Sequence, residues 1–131
     1  MRNRCLALMA MPMLVLVLLA AGGGEWLAKV PAREHGKANP LRDQPEAMQA
    51  GQLLFAEHCA QCHGQNAGGK RNRPSLRTTR IQSEATEGDL HWFLVNGNPR
   101  RGMPSWSRLP GPQLWQLVSY LRNLSTPSPP E

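Results

Sequence analysis

Two cysteines separated by two residues and followed at once by a histidine, Cys59-Ala60-Gln61-Cys62-His63, constrain this chain more than any other feature. Thiols so close together must pair, hold a metal or bond to something outside the chain. A disulfide between them closes so short a loop that it staples almost nothing. A redox dithiol of the C-x-x-C kind belongs beside a βαβ pattern, which the sequence lacks. A zinc site would need a second ligand pair at finger spacing, and adjacent Cys62 and His63 cannot easily both reach one tetrahedral ion. The reading that remains is C-x-x-C-H as a c-type haem attachment sequence. Its spacing lets the two thiols form thioethers with vinyl groups on neighbouring edges of one porphyrin, while the next residue sets an imidazole under the iron. His63 Nε2 is then the proximal ligand, and Nδ1–H is left for an acceptor that fixes the tautomer.

A large bound group is also what the chain length calls for. Of 131 residues, helical patterning occupies 46–124, roughly 80 residues, a size at which a side-chain core alone is marginal. A multidomain enzyme does not fit. The hydrophobic content of 40% overstates the core, because residues 6–21 form an uncharged run of Leu, Met, Ala and Val. Met1-Arg2-Asn3-Arg4 before this run and Ala20-Ala21-Gly22 at its end supply the basic start and small residues of a secretory signal. With Gly22-Gly23-Gly24 the run also approaches the ~20 residues that span a bilayer, Trp26 falling at the interface. Pro12 and Glu25 oppose a span, so residues 1–24 are read as a signal peptide or a retained N-terminal anchor. Cys5 belongs to this segment. Either way the domain is expected in the periplasm or on the outer face of the cytoplasmic membrane, where a covalently held haem cannot leak away.

Three helical patterns follow. The first, from 46 to 59 behind Pro45, puts Ala47, Gly51, Leu54, Phe55 and His58 on one face. The second starts near Thr86, where Asp89 stands in the acidic slot of a capping box, and ends at Asn96-Gly97. The third opens at Gly111-Pro112 and carries Leu114, Leu117, Val118, Leu121 and Leu124 at helical spacing. No stretch alternates as a strand does. The segments 64–81 and 98–109 are rich in Gly, Pro, Arg and Ser and are expected as loops, long ones that wrap a bound group. Residues 25–45 are read as a linker or an irregular arm across the domain surface, 46–124 as the domain, and 125–131 as a disordered tail.

If protein fills the opposite axial position, the ligand lies far along the chain. Met103 and His91 have suitable chemistry. Met103 sits in Arg101-Gly102-Met103-Pro104, where glycine permits close approach and proline stiffens the turn. His91 is assigned as a polar helix residue, His58 and His35 as surface or arm side chains, and Met48 as core. Coordination by His63 and Met103 leaves the iron no vacant site and favours its ferrous state. One-electron transfer is then the expected function, and catalysis at the metal is not.

On these motifs the chain resembles a class I cytochrome c, and more narrowly the small bacterial mono-haem domains of the cbb3-oxidase subunit III type. The likeness covers about 49–124. It rests on Ala50-Gly51-Gln52-Leu53-Leu54-Phe55 leading into the C-x-x-C-H and Gly64, and on Arg73-Pro74-Ser75-Leu76. Further along it rests on Asn96-Gly97, Gly102-Met103-Pro104-Ser105-Trp106 and the segment from Leu114 to Leu121. The resemblance implies an all-α class I cytochrome c fold, three main helices and long loops wrapped around one covalently bound haem c. It implies that the first and last helices cross, with Gly51 and Phe55 against Leu117 and Tyr120. It also implies that the Pro74 carbonyl accepts from His63 Nδ1 and that Leu76 packs on the ring. Lys70, Arg71 and Arg73 depart from the family, which often has Gly and small residues there, and the stretch before Pro45 has no obvious counterpart.

The chain carries 15 Lys and Arg against 9 Asp and Glu. Much of the positive charge falls in the two expected loops, where it can steer encounter with an acidic redox partner or be a solvated face partly neutralised by haem propionates. The expected partners are a redox donor and acceptor, drawn from a dehydrogenase, a quinol-oxidising complex or a terminal oxidase. The chain itself is either a carrier or the cytochrome subunit of such a complex, with possible membrane association through residues 6–24. Export removes nucleic acid from the list. Two other classes compete: a haem-based sensor or small-ligand binder with a labile sixth ligand, and a structural metal module without haem.

Overall fold

Pro45 opens the first long helix of the computed structural model, which describes residues 25–124. The segments expected as signal or anchor and as tail lie outside the described residues. In chain order the helices are α1 (Ala32–His35), α2 (Pro45–His58), α3 (Ala60–His63), α4 (Glu87–Asn96) and α5 (Gly111–Arg122). Among the described residues the only β pairing is two isolated bridges, and no helix is long and apolar enough to cross a membrane.

The helix boundaries follow local chemistry. Proline at the first position of α2 has no N–H to leave unpaired. In front of α4, Asp89 N–H donates to Thr86 Oγ1 at 3.1 Å and Thr86 N–H donates to Asp89 Oδ2 at 2.8 Å, a reciprocal cap. Gly97, at φ +65°, turns the chain out of α4. Leu114, Leu117, Val118 and Leu121 form the buried stripe of α5.

α2 and α5 cross in close contact. A Cβ on Gly51 would collide with the Gln116 carbonyl oxygen and stand 2.9 Å from Tyr120 Cβ, so the two backbones meet where only a hydrogen fits. One turn on, the Phe55 and Tyr120 rings lie 5.1 Å apart and tilted by 48°. Phe55, Leu117 and Val118 are the largest apolar side chains fully buried at this crossing.

Residues 25–44 lie against α4 and α5. Asn39 is buried, donating through Nδ2 to Ser119 Oγ at 2.8 Å and to the Trp115 carbonyl at 3.1 Å. Its own N–H donates to Glu87 at 2.8 Å. Gly88 has no Cβ because the Glu34 carbonyl occupies that space. Trp26 packs on Phe93 at 4.7 Å, and His35 Nδ1 faces Asp89 Oδ1 at 2.5 Å. Beneath the arm His91 stacks on Trp115 at 4.0 Å and 18°. Burial first, then the charge of Lys37, pushes the His91 pKa below its ordinary value.

The expected loop up to 81 runs instead into a single π-helical turn, Arg80–Glu84. Gln82 Nε2 donates to the Leu76 and Leu121 carbonyls at 2.8 and 3.0 Å. The Arg122 guanidinium donates to the carbonyls of Ile81, Gln82 and Ala85 at 2.8 to 3.2 Å. Arg122, from α5, thus satisfies backbone acceptors around a turn too short to satisfy them itself, while Gln82, within the turn, ties it to Leu76 and α5.

Candidate cofactor site

Cys59 caps α2, its N–H donating to the Phe55 carbonyl at 2.8 Å, and its carbonyl accepts from Cys62 N–H at 3.1 Å and His63 N–H at 2.9 Å. The single turn of α3 therefore carries Cys62 and His63 from a point fixed by the long helix. Cys62 is exposed and Cys59 is half-buried against the core. Burial, and second the neighbouring Cys62, push the Cys59 thiol up to about 11.

After Gly64, at φ +81°, the chain reverses and folds back under His63. Gly69 N–H donates to the His63 carbonyl and Leu76 N–H to the Ala67 carbonyl, both at 2.8 Å. Gly69, at φ +89°, lies so near Ser75 N that a Cβ would stand 2.8 Å from it. This closed loop brings the Pro74 carbonyl oxygen to 2.9 Å from His63 Nδ1. A carbonyl only accepts, so the proton of this pair is on Nδ1 and a neutral ring keeps its lone pair on Nε2.

Met103 ends a second closed loop. Asn98 N–H donates to the Met103 carbonyl at 2.9 Å and Met103 N–H to the Asn98 carbonyl at 3.1 Å. Between them lie a 3₁₀ turn, Pro99–Arg101, and Gly102 in the left-handed region at φ +77°. Beyond Met103, Trp106 N–H donates to the Leu94 carbonyl at 2.9 Å, and the Trp106 ring contacts the His58 ring and the Arg108 guanidinium.

The sequence-derived residues fall as follows. His63 and Pro74 are in direct contact, while Cys59, Leu76 and Met103 are half-buried against the same core cluster. His91 stands apart, stacked on Trp115 under the arm. Two thiols on one turn, an imidazole with its lone pair on Nε2 and a thioether on a stiff loop form a donor set that suits haem: soft sulfur and imidazole for iron, thiols for the vinyl groups. Arg73, to which the sequence assigns no partner, donates from Nη1 to the Arg101 carbonyl at 2.8 Å and bridges the two loops. Nothing local in the sequence signals that contact.

The family model described as "Cytochrome C oxidase, cbb3-type, subunit III" matches residues 46–121, more than half of the chain. The chain belongs to this family of c-type cytochromes. As such it carries covalently bound haem c and is an electron-transfer protein, and the sequence holds a single C-x-x-C-H. It is 49% identical over 89 residues to the cbb3-type cytochrome c oxidase subunit CcoP of Rubrivivax gelatinosus, covering 67% of this chain and 29% of that one. It is 30% identical over 109 residues to cytochrome c550 of Pseudomonas aeruginosa, covering 78% and 69%. The cytochrome thus spans under a third of its cbb3 relative. Among solved structures it is similar to cytochrome cL of Methylophaga aminisulfidivorans, with a TM-score of 0.57 and 25% identity over 66% of this chain and 58% of that one. The all-α class I fold is shared as well with the KustC0563 c-type cytochrome, with a TM-score of 0.52 and 20% identity over 57% and 96%.

Proposed function

We propose that Cys59 and Cys62 hold the haem as thioethers and that His63 Nε2 and Met103 Sδ are its axial ligands. The observation that carries this is the 2.9 Å pair between His63 Nδ1 and the Pro74 carbonyl, which fixes the ring and directs its lone pair outward from Nε2. The haem supplies one-electron chemistry when bound. Met103, held by both its backbone groups, presents a sulfur that needs little reorganisation as the iron changes charge. Leu76, half-buried beside the Pro74 support, packs on the ring and excludes water. With both axial positions filled by the chain, no substrate has access to the metal, so the protein is a carrier and not itself an enzyme.

The domain works in the periplasm or on the outer face of the cytoplasmic membrane, after export by residues 1–24, which either leave or remain as an anchor. Its donor and acceptor are redox proteins, and the likeness to CcoP favours a terminal oxidase over a dehydrogenase or quinol-oxidising complex. The exposed Lys70, Arg71 and Arg101 suit an acidic partner face.

Replacing Met103 by Ala tests the assignment in the holoprotein. Colour should stay with the chain on denaturing extraction. The ferric sulfur-to-iron charge-transfer band should vanish, the reduction potential fall, and carbon monoxide bind the reduced form rapidly. An unchanged band and potential would remove Met103 from the iron. Fast, complete carbon monoxide binding by the unaltered protein would favour the ligand-binding or sensing reading instead.

A further inference from the structure

Arg73 and Pro74 are neighbours in sequence, and each touches the support of a different axial ligand. The Pro74 carbonyl holds His63 Nδ1 at 2.9 Å, while the Arg73 guanidinium donates through Nη1 to the Arg101 carbonyl at 2.8 Å, two residues before Met103. Arg73 is itself fixed: its N–H donates to the Lys70 carbonyl at 2.7 Å and its carbonyl accepts from Lys70 N–H at 3.2 Å. Only the side chain is left to reach outward. It lies over Gly102, where a Cβ would stand 2.8 Å from Nη1 and 3.1 Å from Nη2. The left-handed backbone at φ +77° favours glycine there, and a Cβ would push the guanidinium off its face.

The Met103 loop is closed on itself by the paired Asn98 and Met103 backbones, so its internal bonds do not determine how it sits against the His63 side of the domain. The Arg73 contact does bear on that. We propose that Arg73 is a positioning residue, a latch that ties the Met103 loop to the loop supporting His63 and so resists displacement of the sulfur from iron. The inference rests on Met103 as the sixth ligand. Lysine would be a poor substitute, because it lacks the planar fork that both covers Gly102 and aims a donor at the Arg101 carbonyl.

Exogenous imidazole binds the ferric holoprotein only when the sulfur leaves, so its stopped-flow rate measures loop opening. Arg73→Ala is expected to raise that rate about five- to tenfold, the scale of one charge-assisted hydrogen bond partly exposed to water. Arg73→Lys should give an intermediate rate, and it carries the test if the alanine variant does not mature. Arg100→Ala, which removes an equal charge from the Met103 loop itself, should match the unaltered protein. Equal rates in both Arg73 variants and the unaltered protein overturn the latch, as does an equal rise in Arg100→Ala. A ferric spectrum of the unaltered protein with no sulfur-to-iron band would overturn the Met103 ligand itself, a result distinct from failure of the latch.

Discussion

Replacing Gly51 by Ala sets helix propensity against tertiary contact, and the two predict opposite signs. In the interior of an isolated helix the change stabilises by about 1 kcal/mol. At the α2–α5 crossing the new methyl would collide with the Gln116 carbonyl oxygen and sit 2.9 Å from Tyr120 Cβ. A backbone carbonyl cannot swing aside as a side-chain tip can, so the cost belongs near the upper end of the overpacking range, ~3 kcal/mol. The net loss is then about 2 kcal/mol, and with roughly 4–8 °C per kcal/mol for a domain this small, Tm should fall by about 8–16 °C. Thermal melts of the holoprotein, followed in the far ultraviolet and in the haem band, measure it. Gly111→Ala is the control, since it also lies in a helix but a Cβ there meets nothing within 4 Å. If Gly51→Ala melts within about 2 °C of the unaltered protein, or above it, the close crossing is wrong.

Two further predictions concern the arm. Asn39→Ala removes the bonds to Ser119 and Trp115 and should loosen the arm by about 2 kcal/mol, roughly thirtyfold in its open population. Trypsin should then cut sooner at Arg33, Lys37 or Arg42, and an unchanged cleavage rate would mean that Asn39 does not pin the segment. Acid should destabilise the same region. The unfolded chain takes up the His91 proton as pH falls through about 6.5, while the half-buried folded ring resists it, so stability present above that pH is lost below it. Glu34, held below its ordinary pKa by the Lys37 hydrogen bond, acts in the same direction at lower pH. His91→Phe should flatten the Tm profile between pH 5 and 7 relative to the unaltered protein, and parallel profiles would refute the assignment to His91.

What the sequence determined by itself lies within a turn or two of chain. Thr86 and Asp89 are three residues apart, so their reciprocal cap is legible without any partner. Pro45 and Gly97 limit their helices through their own backbones, the stripe of α5 declares a buried face, and the C-x-x-C-H states its chemistry in five residues. The tertiary structure decided whatever needs partners distant along the chain. Asn39 reads as one more polar residue in a proline-rich stretch until Ser119, 80 residues away, accepts from it. Gln82 and Arg122 look like surface side chains, yet Arg122 satisfies carbonyls of a π-helical turn that no periodicity marks, and Gln82, within that turn, donates to the Leu121 carbonyl of α5. Arg73 looks like loop charge until Gly102 and the Arg101 carbonyl come beneath it. A hydrogen bond carries no sequence signature when its donor and acceptor meet only after the chain has folded, whereas capping and helical stripes are set by distances the backbone fixes locally.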